Sequence, residues 1–144
     1  MELELDIIDI QWAKVFLKKT DFLSQLTEQE ITNLIYKIKK KTYSKNKTIL
    51  FKGEFSNRLF IIKTGKVGIF ISKEGKKEKV TELDGNHYFG EVSLIHPVPA
   101  SATVVAESNC EILILDKEVL DEVFKNNPTA LDTIHKKIEE RKQT

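Results

Sequence analysis

The stretch Tyr88–Ala106, YFGEVSLIHPVPASATVVA, carries the reading of the fold. Gly90 and Glu91 form a turn, an apolar run follows at short-helix length, and Pro97 and Pro99 bracket a loop. The β-branched segment Ala102-Thr103-Val104-Val105-Ala106 then reads as a strand. A tight turn, a short helix and a strand in such close succession must fold back on one another.

Outward from this stretch, strands dominate. Thr48–Phe51, Leu59–Thr64, Val67–Ser72, Lys79–Leu83, Ala102–Ala106 and Cys110–Asp116 all favour β-branched or aromatic side chains. Gly53, Gly65, Gly75 and Gly85 punctuate them, each at a turn where positive φ is expected. Short strands without long helices between them imply antiparallel pairing in a barrel or jelly roll. The stretch Lys73-Glu74-Gly75-Lys76-Lys77-Glu78-Lys79 alternates in sign and reads as an exposed hairpin tip.

Helices flank this region. Before it, Trp12, Ala13, Phe16 and Leu17 recur at helical spacing within 10–18. Thr27-Glu28-Gln29-Glu30 is a capping box leading into the stripe Ile31, Leu34, Ile35, Ile38. Lys39-Lys40-Lys41 reads as a solvated helix end that complements the dipole, so the helical region is expected to span 1–41. After the strands of 48–116, Asp116 is placed to cap a helix with inner face Val119, Leu120, Val123 and Phe124. Asn127-Pro128 restarts the chain as N-cap and first helical residue. C-terminal helices are expected over 117–143, with Leu131, Ile134 and Ile138 along one side of the last.

The sequence holds 144 residues, the length of one domain, and 1–144 is read as one. A hydrophobic share of 40% and a charged share of 31% belong to a globular chain rather than a disordered one. The net charge of +1 supplies no basic field for nucleic acid or an anionic membrane, so neither is expected as a partner. MELELDIIDI lacks the basic start of a secretory signal, and no apolar run nears the ~18 residues of a membrane span. Cytoplasmic location is expected. The one cysteine, Cys110, falls in an apolar strand pattern and reads as a buried, inert thiol.

In its order of elements the chain resembles the cyclic nucleotide-binding domains, the family of the catabolite activator protein and the protein kinase A regulatory subunit. Phe22–Thr27 is similar to their entry segment, Thr48–Glu54 to their first roll strand, and Leu59–Val67 to the strand, glycine turn and strand that follow. Leu83-Asp84-Gly85 leads into Phe89-Gly90-Glu91, similar to the start of the family's phosphate-binding cassette. The resemblance implies a mainly β fold: a β-roll (double-stranded β-helix jelly roll) with flanking N- and C-terminal α-helices.

It also implies a ligand, cAMP or cGMP, and a regulatory, non-enzymatic role. Carried over, Glu91 accepts the ribose 2′-hydroxyl and Gly90 lets the chain turn close to the sugar. Val92 and Ser93 begin the helix whose N–H groups face the phosphate. Ser101 and Ala102 offer N–H groups from the far side, and the Ser101 hydroxyl adds a donor. The family's usual Pro-Arg-Ala-Ala-Thr-Val reads here Pro99-Ala100-Ser101-Ala102-Thr103-Val104, so Ala100 stands where an arginine grips the phosphate. Losing one partner of a buried charge pair costs about 2–5 kcal/mol, which makes cyclic nucleotide binding weak. Arg58 and Lys52, on turns facing water, are not expected to compensate. The alternative is a vestigial pocket in a protein-interaction module, with Leu131, Ile134 and Ile138 docking on a partner or forming a homodimer, unless that stripe packs on the chain's own roll.

Other chemistry finds little footing. His87 and His96 lack the spacing of a metal site. His96 holds a loop position where the family often has an aromatic, which implies packing, and His135 lies at the edge of the last helix's stripe. Glu139 and Glu140 lie on a polar helix tail, and Ser93 has no triad context, so no catalytic residue is assigned.

Overall fold

Asp6 starts the first helix, α1 (Ile7–Lys19), through reciprocal bonds. The Asp9 N–H donates to the Asp6 carboxylate at 2.8 Å, and the Asp6 N–H donates to that of Asp9 at 3.1 Å. In the computed structural model, which describes residues 1–142, α2 (Glu28–Ile35) begins with the expected capping box. There the Glu30 N–H donates to Thr27 Oγ1 at 3.1 Å and the Thr27 N–H to Glu30 Oε1 at 2.9 Å. Ile31, Leu34, Ile35 and Ile38 are all buried, although the helix stops at Ile35.

The strands are β1 (Leu3–Glu4), β2 (Lys39–Tyr43), β3 (Thr48–Leu50), β4 (Phe55–Ser56), β5 (Arg58–Thr64) and β6 (Lys66–Lys73). They continue with β7 (Lys76–Asp84), β8 (His87–Phe89), β9 (Val98–Pro99), β10 (Thr103–Ala106) and β11 (Cys110–Asp116). One sheet runs β1-β2-β11-β5-β8, a second β3-β10-β6-β7, and β4 pairs with β9. Every pairing is antiparallel, as a roll requires. The β6–β7 hairpin turns at Glu74-Gly75, both at positive φ, and all of β7 except Leu83 is exposed.

β5 and β11 are buried on both faces. Leu59 and Ile61, with Leu113 and Leu115, join a core built with the helices. Their neighbours Phe60, Ile62, Ile112 and Ile114 point the other way into the roll, beside Val67, Phe89 and Val104. Such strands read as continuous apolar runs because each side chain, odd or even, meets a core.

The lysine run overturns one expectation. Lys39–Lys41 is not a helix end but part of β2, paired with β1 on one side and β11 on the other. The physical reason lies on α1: Asp9 is fully buried, with Lys40 Nζ at 2.8 Å and Lys63 Nζ at 2.7 Å. A carboxylate buried under a helix needs cations, and two strands supply them. Burial alone would raise the Asp9 pKa, but hydrogen bonds from Lys40 and Lys63 outweigh it and hold the group at about 2.

Three local details also differ from expectation. Gly85 keeps negative-φ backbone, and its neighbour Asn86, a residue that tolerates left-handed geometry, takes φ 70° instead. Asp116 precedes α3 (Lys117–Val123) but makes no capping bond, because its carboxylate meets Arg58 Nε at 3.2 Å. The stripe Leu131, Ile134, Ile138 on α4 (Pro128–Lys142) is no free docking seam. Ile134 and Ile138 are fully buried in the chain's own helical core, and Leu131 packs against it. Asn127 caps α4 as expected, accepting from the Ala130 N–H at 3.3 Å, while residue 143 of the expected helical region lies outside the described residues. Among the described residues no helix is long and apolar enough to cross a membrane.

Candidate functional site

Gly90 follows β8 in left-handed geometry, φ 85°, and a Cβ there would lie 2.7 Å from the Arg58 carbonyl oxygen. Only glycine fits, on both counts. The close approach is therefore to the chain's own β5, a structural reason for this glycine beside any role near a sugar. The next four residues, Glu91–Leu94, form a single 3₁₀ turn closed by the Ser93 N–H donating to the Gly90 carbonyl at 3.1 Å. Phe89 anchors one end by stacking on Phe60 at 4.9 Å between centroids, while Leu94 and Ile95 bury the other end in the helical core. One turn of helix sums few peptide dipoles, so its field on an anion is small.

The returning loop is held by backbone. β9 pairs with β4, the Ala100 N–H donates to the Glu54 carbonyl, and the Gly53 N–H donates to the Ala100 carbonyl, both at 2.8 Å. Thr103 Oγ1 accepts from the Lys52 N–H at 3.0 Å. These bonds fix Ala100 so that its methyl group packs on the core inside the roll.

Between turn and loop lies a cavity of about 360 Å³, within the range of small-ligand sites. All seven residues singled out from the sequence line it: Gly90, Glu91, Val92 and Ser93 from the turn, and Ala100, Ser101 and Ala102 from the loop. Strand patterns did not single out the rest of its lining. Leu50, Ile69, Phe89 and Val104 add apolar surface, Ser56 adds a hydroxyl, and Val98 and Pro99 complete the loop side. Alternation along β10 was the available signal, since Val104 and Ala102 must share a face.

The charges are one-sided. Glu91 is the one ionisable residue of the lining, and its carboxylate has no hydrogen-bond or ion-pair partner among the described residues. Among the described residues, no lysine, arginine or histidine lines the cavity. Arg58 is engaged elsewhere, 3.2 Å from both Glu2 and Asp116, and the Lys52 side chain is exposed. Among the described residues, the N–H groups of Glu91, Val92, Ser101 and Ala102 make no hydrogen bond within the chain.

The remaining candidates lie apart from this cavity. His96 does not pack as an aromatic would: it is exposed, with Nε2 2.7 Å from the Glu139 carboxylate on α4. His87 Nδ1 lies 3.0 Å from Asp84, and the ring of His135 keeps a buried Nε2 without a partner among the described residues. No group of three His, Cys, Asp or Glu among the described residues is placed to hold a metal ion. Cys110 is buried, which pushes its thiol pKa up and its reactivity down. A groove of about 400 Å³ beside Trp12, Phe16 and Tyr88 shares no residue with the cavity.

Comparison with known proteins agrees with the architecture. The family model of the cyclic nucleotide-binding domain matches residues 40–127. A cGMP-dependent protein kinase of Eimeria tenella is 37% identical over 121 residues, covering 83% of this chain and 12% of the kinase. A cAMP-dependent protein kinase regulatory subunit of Yarrowia lipolytica is 28% identical over 79% of this chain and 32% of that protein. The chain thus spans about a third or less of these curated relatives. Among solved structures, the regulatory domain of Toxoplasma gondii PKA with cAMP superposes with a TM-score of 0.77 at 20% identity, over 83% of this chain and 46% of that one.

Proposed function

Because the chain belongs to the cyclic nucleotide-binding domain family, we propose that it is a non-catalytic regulatory module whose cavity beside Glu91 holds cAMP or cGMP only weakly. The observation that carries this reading is a cavity lined by Glu91 and Ala100 with no basic side chain among its lining residues. In this reading Glu91 accepts the ribose 2′-hydroxyl, while Val92, Ser101 and Ala102 offer N–H donors to the phosphate. Neutral donors replace a guanidinium poorly. The loss of about 2–5 kcal/mol weakens binding ~30-fold to several thousand-fold. Readout runs through the core: Leu94 and Ile95, at the end of the 3₁₀ turn, share it with Ile134 and Ile138 of α4. A ligand that shifts the turn must repack that helix.

Titration calorimetry with cAMP and cGMP tests this reading. The unmodified chain is expected to bind in the millimolar range, and Ala100→Arg to bind at least tenfold more tightly. Nanomolar affinity in the unmodified chain would overturn it, as would silence from both proteins at ligand concentrations of about 10 mM.

A further inference from the structure

We infer that this cavity prefers an uncharged ring compound bearing adjacent hydroxyls, a nucleoside in chemical class, over the corresponding cyclic nucleotide. The inference rests on the reading of the cavity as a ligand site and turns on its charge. In the usual cassette, an arginine beside the glutamate leaves the site near neutral before the ligand arrives. Here Ala100 removes the positive charge and Glu91 stays, so the lining carries a net charge of −1. An anionic phosphate entering such a site gives up water for apolar surface and meets a like charge, with no cation to offset either. That combination is an element of rejection, not merely a missing attraction.

The same carboxylate suits a neutral sugar. Glu91 is an acceptor at both oxygens and has no partner within the described residues. A cyclic nucleotide offers it one hydroxyl, because the 3′-oxygen is esterified. A nucleoside offers two, the adjacent 2′- and 3′-hydroxyls, which together can satisfy both carboxylate oxygens. Leu50, Ile69, Phe89 and Val104 give the remaining ring system an apolar setting. Ser101 and Ala102 line the cavity's loop side, and their N–H groups, without a partner among the described residues, can donate to a neutral oxygen.

Matched titrations of the full chain at low salt test the preference: adenosine against cAMP, and guanosine against cGMP. At least one nucleoside is expected to bind tenfold or more tightly than its cyclic phosphate, and its 2′-deoxy form to lose at least tenfold. Ala100→Arg is expected to reverse the preference, and Glu91→Gln to narrow it, with folding of both variants checked by thermal melts. A cyclic nucleotide that binds the unmodified chain as tightly as its nucleoside overturns this inference and leaves the weak-binding reading intact. A nucleoside that binds while its cyclic phosphate does not, in the unmodified chain or in Ala100→Arg, supports the inference and overturns that reading. Silence from all four ligands overturns both. The comparison within the unmodified chain decides the matter even if a variant fails to fold.

Discussion

Asp9, on the inner face of α1, is fully buried and held by Lys40 and Lys63, and among the described residues it is the charged side chain buried in this way. Its pKa, about 2 when folded, lies below the ordinary 3.8, so its contribution is complete above about pH 5 and is lost as pH falls toward 2. That difference corresponds to about 2 kcal/mol of stability. Denaturant midpoints measured from pH 6 to pH 2 should show it, and Asp9→Asn should flatten that part of the profile. The variant itself should cost about 3 kcal/mol at neutral pH, because it strands two lysines. In the sequence Asp9 looks like one more polar residue of a helix. Only its tertiary partners, 31 and 54 positions away, reveal it.

At the scale of elements, α4 offers a different test. It carries a buried His135 ring nitrogen without a partner among the described residues, on a helix whose apolar side is already packed into the core. An unsatisfied buried polar atom costs more than an apolar replacement, so His135→Leu should stabilise the chain by about 1 kcal/mol. A rise in thermal midpoint checks this, and a fall would show that the ring has a role here. Elements with strong periodicity or turn chemistry were legible in the sequence itself. The capping box at Thr27, the Asn127-Pro128 start of α4, the strand Cys110–Asp116 and the glycine of the cassette turn all rest on local rules. β2 was not legible, because Lys39-Lys40-Lys41 carries no apolar alternation and its strand geometry is imposed by β1, β11 and Asp9. The short strands β4, β8 and β9 escaped for a similar reason, being two or three residues long and defined by their partners. Of the cavity, the turn and loop were visible as sequence, whereas the apolar surface from Leu50 and Ile69 comes from strands brought in by the roll.

For the whole molecule, the doubly buried β5 and β11 tie two cores together. Neither core can open while those strands remain paired. Unfolding should therefore be a single transition, with Trp12 fluorescence from the helical side and far-ultraviolet circular dichroism tracing coincident curves. Ile61→Ala and Ile62→Ala face opposite cores yet should each cost about 3 kcal/mol without changing the denaturant slope. Separate transitions for the two probes would mean that the cores melt independently.

The tip of the β6–β7 hairpin, at Glu74-Gly75, stands outside both cores, although Val67 at the base of β6 belongs to the core of the roll, and the outer strand is open to water except at Leu83. A peptide tag or fluorophore spliced into that tip should leave folding and the cavity beside Glu91 untouched. The protein thus comes with its own attachment point, from which the proposed filling of the roll can be tested optically without disturbing the lining residues.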